Sequence, residues 1–502
     1  MKKECNSLTK LTKTQRRKER STLFFYNTPC LRALRERSLP IILRALRERP
    51  FLLIFIMFVF TLPLAAQETK TIEQQQLDIL RYGTETEIAN LIQVVKNEKV
   101  EYLDKELIAV AQKTRNRNIL AGIFGFFAEM EKSGLEERAI RAINERDEEA
   151  NETILSAVDY LGRVKSEDAI PVLEELINAG ENRFLNNAIR ALGRASKGKD
   201  SADETAFFLL DYYENRSPGD ENRREIIVAM GETGSPESVP FLVDLINNTD
   251  ERAILRMAAL DAISKIGDER GLEAVVEAVS SSDPNVRATA IAALGPFTGE
   301  AAENAILEGF RDSFFRSRIG ASQAAGRRKL ESAIPFLRFR AERDDVPAVR
   351  DEAIKALGAI NNSETESILD TFFSERKNSD RIRLIAAEML LQNNPDSYSG
   401  KIIVEMEEAK EKRMTALYNG FVRLLSTARS KSFEDFARRL IAGGGVIEKS
   451  LALDLALNNE YRSLEEDIRS LLDEKKNPAT ISRKAKSTLE KLGIAIEIIN
   501  NE

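Results

Sequence analysis

Along residues 222–391 the apolar positions recur as a phrase. Asn222-Arg223 is followed by Ile227, Ala229, Met230 and Gly231. Leu255-Arg256 is followed by Ala259, Ala262, Ile263 and Ser264, and Val286-Arg287 by Ala290, Ala293, Leu294 and Gly295. The same order returns from Ser317-Arg318 to Gly326, from Val349-Arg350 to Gly358, and from Ile382-Arg383 to Leu391. The closing positions 231, 264, 295, 326, 358 and 391 are separated by 33, 31, 31, 32 and 33 residues. Apolar residues three and four apart predict amphipathic helices. A period near 32 residues held over six copies predicts stacked units that bury their faces only against neighbours.

Each unit reads as two helices. The first resembles Val239-Pro240-Phe241-Leu242-Val243-Asp244-Leu245-Ile246, with Pro171, Pro240 and Pro335 early, where a helix tolerates a missing N–H. The second begins at an acidic or polar cap, clearest in Asp283-Pro284. It runs through the alanine-rich phrase, whose small side chains let the next pair approach. The glycine closing the phrase is expected to stop the helix in the left-handed conformation.

The pattern divides the chain. Residues 1–50 form a basic leader, 51–66 an apolar run, 67–152 irregular helical repeats, 153–391 regular repeats, and 392–502 degenerate repeats with a cap. Helices are expected at Ile72–Leu80, ending at a Gly83 cap, and at Leu103–Gln112, Ile119–Met130, Thr153–Gly162, Asp168–Ile177 and Phe184–Gly193. Residues 131–152 fit poorly and are expected to hold an extra helix. Residues 194–205 read as a surface loop that lengthens the step from Gly193 to Gly231 to 38. Beyond 391, Arg413–Phe421, Lys449–Leu457 and Ser482–Glu490 align as weakened second helices, with Phe433–Ile441 and Leu464–Leu472 as first helices. The fold class is therefore all-α, a superhelix of about eleven or twelve helix pairs.

Composition narrows the chemistry. The chain has 502 residues and no histidine, which removes Ser-His-Asp, Cys-His and His-ligated metal systems. Cys5 and Cys30 are the only cysteines, so residues 67–502 hold no thiol cluster. Residues 1–50 carry 14 Lys/Arg and 4 Asp/Glu, leaving the rest of a chain of net charge −7 with −17. An acidic body argues against phosphate-backbone binding and hence against a nucleic-acid partner.

Phe51–Ala66 (FLLIFIMFVFTLPLAA) follows basic residues and is closed by Ala65 and Ala66, the order of a secretory signal peptide. It is shorter than the ~20 residues of a spanning helix. Cleavage is favoured over an uncleaved anchor, although Leu64 is not the small residue preferred before the cut. The protein is thus expected to be exported, in the periplasm, touching membrane only through this segment. Leu31–Arg37 is repeated as Leu43–Arg49, which points to a translation start downstream of Met1 rather than a basic arm on the inner membrane face.

The unit Leu255–Glu269, continuing into Leu272–Val279, resembles a HEAT repeat, most of all the short type of the phycobilisome lyases. Val286–Gly295 and Val349–Gly358 follow the same pattern. The resemblance covers residues 153–391 well and 72–152 and 392–502 loosely. It implies an α-solenoid and specifies no activity, since the family spans bilin lyases, DNA-alkylation glycosylases and scaffolds; separately, no cofactor is expected.

One column stands out: Arg223, Arg256, Arg287, Arg318, Arg350 and Arg383, each eight residues before the closing position. It reads either as a stripe for an anionic or acidic partner, or as an internal ladder paired with Asp220, Asp250, Asp283, Asp312, Asp345 and Asp380. The matched register favours the ladder, and HEAT proteins have such Asp–Arg ladders. Ser196–Lys199 and Ser374–Lys377 match Ser-x-x-Lys but fall in expected loops without companion motifs. Gly443-Gly444-Gly445 lacks a following Gly-Lys-Ser/Thr and reads as a turn. Phe124, Phe126, Phe127, Phe207 and Phe208 read as core. No catalytic, cofactor or metal residue is marked. The expected function is a non-enzymatic adaptor binding a protein on the concave face. The rivals are an enzyme using carboxylates in the groove, a lyase-type activity by family analogy, or an envelope spacer without a partner.

Overall fold

A computed structural model describes residues 72–216 and 218–494. The chain forms two compact units, Met1–Asp78 and Ile79–Glu502, and the helical repeats belong to the second. The leader and signal-peptide expectations fall outside the described residues. The described residues hold α-helices and short 3-10 turns and no strand.

After the helix Glu85–Glu98, twelve pairs follow, from Asp104–Lys113 with Arg117–Glu129 to Glu465–Arg469 with Ala479–Lys491. Their order follows from sequence at each end. Pro171, Pro240 and Pro335 occupy the first turn of the first helices Ile170–Asn178, Val239–Asn247 and Ile334–Arg343. Each of these is entered through one 3-10 turn, Glu167–Ala169, Pro236–Ser238 or Glu331–Ala333. Asp283 caps Pro284–Ala293 by accepting hydrogen bonds from the N–H groups of Asn285 at 2.7 Å and Val286 at 3.3 Å.

The glycines of the phrase act differently from the expectation. Gly231 and Gly358 lie inside the helices Asp220–Thr233 and Pro347–Ile360. Gly234 (φ 74°), Gly267 (φ 71°), Lys329 (φ 52°) and Asn361 (φ 55°) supply the left-handed stops instead. The interior glycines permit contact between repeats. A methyl group on Gly162 would sit 2.7 Å from Ala191 Cα, and one on Gly231 would sit 2.7 Å from Ala262 Cα. On Gly193 it would lie 2.6 Å from the Ala229 carbonyl oxygen. Second helices are thus drawn together backbone to backbone. Consecutive second helices pack along their lengths, whereas consecutive first helices meet only locally. Second helices therefore form one closely packed row, termed the inner row, and first helices a looser one, termed the outer.

The remaining differences are local. Residues 131–152 hold one helix, Glu136–Asn144, which is the first helix of an ordinary pair with Asn151–Arg163. Its own signal is faint because it is short and half charged. The loop after Phe184–Gly193 shrinks to residues 196–201, because Asn182–Ala195 continues and Ala202–Asn215 starts early. The helix before Gly83 ends at Tyr82, but Gly83 is not left-handed. In the C-terminal repeats the second helices are Thr415–Leu425, Val446–Asn458 and Ala479–Lys491, and a long first helix, Pro395–Glu411, precedes them.

The core lies between the rows. Phe124, Phe126 and Phe127 are fully buried, as expected, and Phe124 stacks on Tyr160 at 5.9 Å. Phe207 departs from that expectation: it is 54% exposed.

Candidate interaction surface

The arginine column occupies the fourth position of each second helix from Asp220–Thr233 to Asp380–Asn393. This position lies one turn in from the loop between the two helices of a pair. A long side chain there reaches back to that loop's carbonyls and sideways to the next repeat. Arg256 Nε donates to the Ile246 carbonyl at 2.9 Å. Arg350 donates to the Asp344 carbonyl at 2.7 Å. Arg287 donates to the Ser281 carbonyl at 2.9 Å and to both Asp312 carboxylate oxygens.

Arg318 has the fullest set. Its Nε and Nη2 engage Asp344 at 2.7 and 2.9 Å, its Nη1 donates to the Asp312 and Ser313 carbonyls, and Asp345 lies 3.3 Å away. Arg223 bonds Tyr213, Glu251 and Asp220. Arg383 bonds the Phe373 carbonyl at 2.9 Å and Glu405 at 2.5 Å. Arg318 and Arg383 are buried, and the other four are partly covered.

The carboxylates differ in part from those the register suggested. Glu251, Asp312, Asp344 and Glu405 each come from the repeat after the arginine they meet. Asp283 caps its own helix, and Asp250 and Asp380 make no ion pair with the column among the described residues. Sequence does not mark Asp344 because Asp345 stands beside it, and only their orientation distinguishes them.

Protonation follows these contacts. The bond from Asp312 holds Arg287 above its ordinary pKa, and the bond from Asp344 does the same for Arg318. Burial pushes Asp312 and Asp344 upward, but the facing guanidinium outweighs it, and both end below the usual carboxylate range.

What the inner row offers to solvent lies at other positions. The fifth residues Leu155, Met257, Ile319 and Leu384 are half-buried. The ninth residues include Asp159, Arg190, Asp261, Lys355 and Glu388, all reached by solvent. Two are neutralised across repeats: Arg190 meets Glu225 at 2.7 Å, and Asp159 meets Arg194 at 3.6 Å. Asp261 is open to water yet crowded by the flanking helices. That burial pushes its pKa up even though Lys265, Arg224 and Arg327 lie near. Among the described carboxylates only Asp261 and Glu174 are raised, and they stand on opposite rows.

The other marked motifs carry no chemistry. Ser196 Oγ bonds its own helix at the Gly193 carbonyl, and Lys377 pairs with Glu375. Gly443 ends the helix Glu434–Gly443, and Gly444 and Gly445 form the turn to Val446–Asn458. Among the described residues, no group of three or more His, Cys, Asp or Glu is placed to hold a metal ion. No described helix is long and apolar enough to cross a membrane.

Stacked helix pairs of about 32 residues, bridged from repeat to repeat on an alanine-rich inner row, define an α-solenoid of the HEAT type. The family described as Spirochaete HEAT repeat protein matches residues 80–488, and the chain belongs to it. A deoxyhypusine hydroxylase of Chaetomium globosum is 33% identical over 144 residues, 27% of this chain and 37% of that enzyme. One from Neurospora crassa is 33% identical over 111 residues, 22% of this chain and 29% of the enzyme. The matches therefore span little more than a third of those relatives. Among solved structures, yeast importin-beta (Kap95p) covers 83% of this chain and 67% of its own, at 11% identity and a TM-score of 0.44. Human deoxyhypusine hydroxylase covers 58% and 97%, at 18% identity and 0.23.

Proposed function

We propose that the protein is a non-enzymatic scaffold that binds another protein along its inner row, and that the arginine column braces the solenoid from within. The observation that carries this reading is the division of labour along the second helices from Asp220–Thr233 to Asp380–Asn393. Fourth positions are spent on loop carbonyls and on the next repeat's carboxylates. Most fifth and ninth positions, Ala288 and Asp351 excepted, present half-buried apolar or charged side chains to solvent. A surface of alternating apolar and charged positions on a rigid frame suits an extended polypeptide.

An enzyme using groove carboxylates would need two desolvated acids close together. Asp261 has no such companion on the inner row. The likeness to deoxyhypusine hydroxylases reaches at most 37% of such an enzyme, and this chain has no histidine. The signal-like run Phe51–Ala66 supports an exported, periplasmic protein.

The test is site-specific photo-crosslinking in the cell envelope. Crosslinkers at Met257, Ile319 and Leu384 are expected to capture one reproducible partner, and crosslinkers on outer-row helices are not. Capture from the outer row alone would contradict the inner-face reading. Recovery of the protein only in the cytoplasm would contradict export.

A further inference from the structure

The outer row is electrically uneven. The five consecutive first helices Ile170–Asn178, Ala202–Asn215, Val239–Asn247, Leu272–Ala278 and Gly299–Gly309 contain no lysine or arginine, and every one carries carboxylates. Of these acids only Glu175, 3.8 Å from Arg146, and Glu308, 2.7 Å from Arg311, meet a cation among the described residues. Burial, and then the Glu204 charge on the adjacent helix, push Glu174 upward. On the second of these helices stands Phe207, 54% exposed, with Asp203, Glu204 and Asp211 within about one turn of it. A large exposed aromatic ringed by carboxylates suits a cationic, aromatic counterpart.

The same row carries that counterpart further on. The first helix Ile334–Arg343 presents Arg338, Phe339 and Arg343, and Phe339 is 55% exposed. The Arg340 guanidinium lies 5.3 Å from the Phe339 ring, and Arg311 lies 5.2 Å from that of Phe336.

We infer that the acidic Phe207 face of one molecule docks the arginine-flanked Phe339 helix of a second copy. The two patches are opposite in charge, with Arg338 paired to Glu342 at 3.0 Å within its own helix, and each carries a protruding ring; aromatic and arginine side chains are the usual anchors of interfaces. If both acid–arginine contacts form about one two-fold axis the pair closes as an isologous dimer; if only one forms, the contact is heterologous and extends the solenoids into a chain. Opposite charge makes the association salt-sensitive.

The test is sedimentation velocity of the full-length chain in mild detergent. Weight-average mass is expected to rise with concentration at about 50 mM salt and to fall back toward monomer at about 500 mM. Glu204→Lys with Asp211→Lys makes both patches basic. Arg338→Glu with Arg343→Glu makes both acidic. Either pair alone should abolish association, and mixing the two variants should restore it, with circular dichroism confirming that each folds. A monomer at all concentrations would overturn the inference. So would association that survives both reversals, as leader-driven association would, or variants that fail to complement each other.

Discussion

The regular repeats and the C-terminal repeats solve one problem with different chemistry. From Asp220 to Asn393 the fourth residue of every second helix is arginine. In Thr415–Leu425, Val446–Asn458 and Ala479–Lys491 it is Tyr418, Lys449 and Ser482. The geometry persists. Tyr418 donates to Glu448 at 2.7 Å and Lys449 to Asn477 at 2.8 Å, each in the following repeat. Ser482 donates to the Leu471 carbonyl at 2.9 Å, back into its own pair. From Asp220 onward this position carries a donor, whereas in the earlier second helices Arg117–Glu129, Asn151–Arg163 and Asn182–Ala195 it is the buried Leu120, Ile154 and Leu185. Arginine is the choice where one side chain reaches both the loop and the neighbouring repeat.

The contrast breaks most forcefully at Arg318. Arg318→Ala would strand the Asp344 carboxylate, whose side chain has no solvent exposure. Losing one partner of a buried pair is expected to destabilise by about 3 kcal/mol, read by urea unfolding. Arg340, 3.3 Å from Asp344, keeps the loss from being larger.

The next largest effect is expected at the interior glycines. Gly231→Ala places a methyl against Ala262 and should destabilise by about 1–2 kcal/mol. Gly400→Ala, in the helix Pro395–Glu411 with nothing within 4 Å, should stabilise by about 0.5–1 kcal/mol. Opposite signs at two mid-helix glycines would separate repeat contact from helix propensity. Equal signs would contradict the close approach of neighbouring second helices.

Tyr418→Phe removes one bridge without removing its ring, so a loss of about 1 kcal/mol in thermal unfolding is expected. It should fall short of the Arg318→Ala loss, because only one bond is lost.

The smallest effect concerns pH. Asp344 and Asp312 have lowered folded pKa values, so their contribution is present above the unfolded value of ~3.9 and fades as pH falls through the folded one. The stability gap between wild type and Asp344→Asn should therefore be flat from pH 7 to 5 and shrink on acidification below about pH 4. A gap that widened with acid would reverse the assigned sign.

Much of the fold is legible in the residues because a repeat states its rule several times. The period, the Pro171, Pro240 and Pro335 starts and the Asp283 cap all follow from residue type and spacing. Even the weak C-terminal second helices can be aligned. The glycine role is not legible, because Gly231 and Gly234 are three residues apart and composition does not say which one turns left-handed. Glu136–Asn144 is obscure because it is short. Phe207 reads as inward because its helix is apolar on more than one face. The partners of the arginines are blurred because adjacent acids such as Asp344 and Asp345 look alike until the loop orients them. The exposed fifth and ninth positions cannot be separated from the buried ones before the inner row is in place.

The most direct test of the division between bracing and binding positions is a double-mutant cycle on Arg318 and Asp344, read by equilibrium unfolding. A bracing column predicts a coupling of about 2 kcal/mol or more between Arg318→Ala and Asp344→Ala. Additive losses, with Arg318→Ala as stable as wild type, would contradict it and return the column to the partner-facing surface.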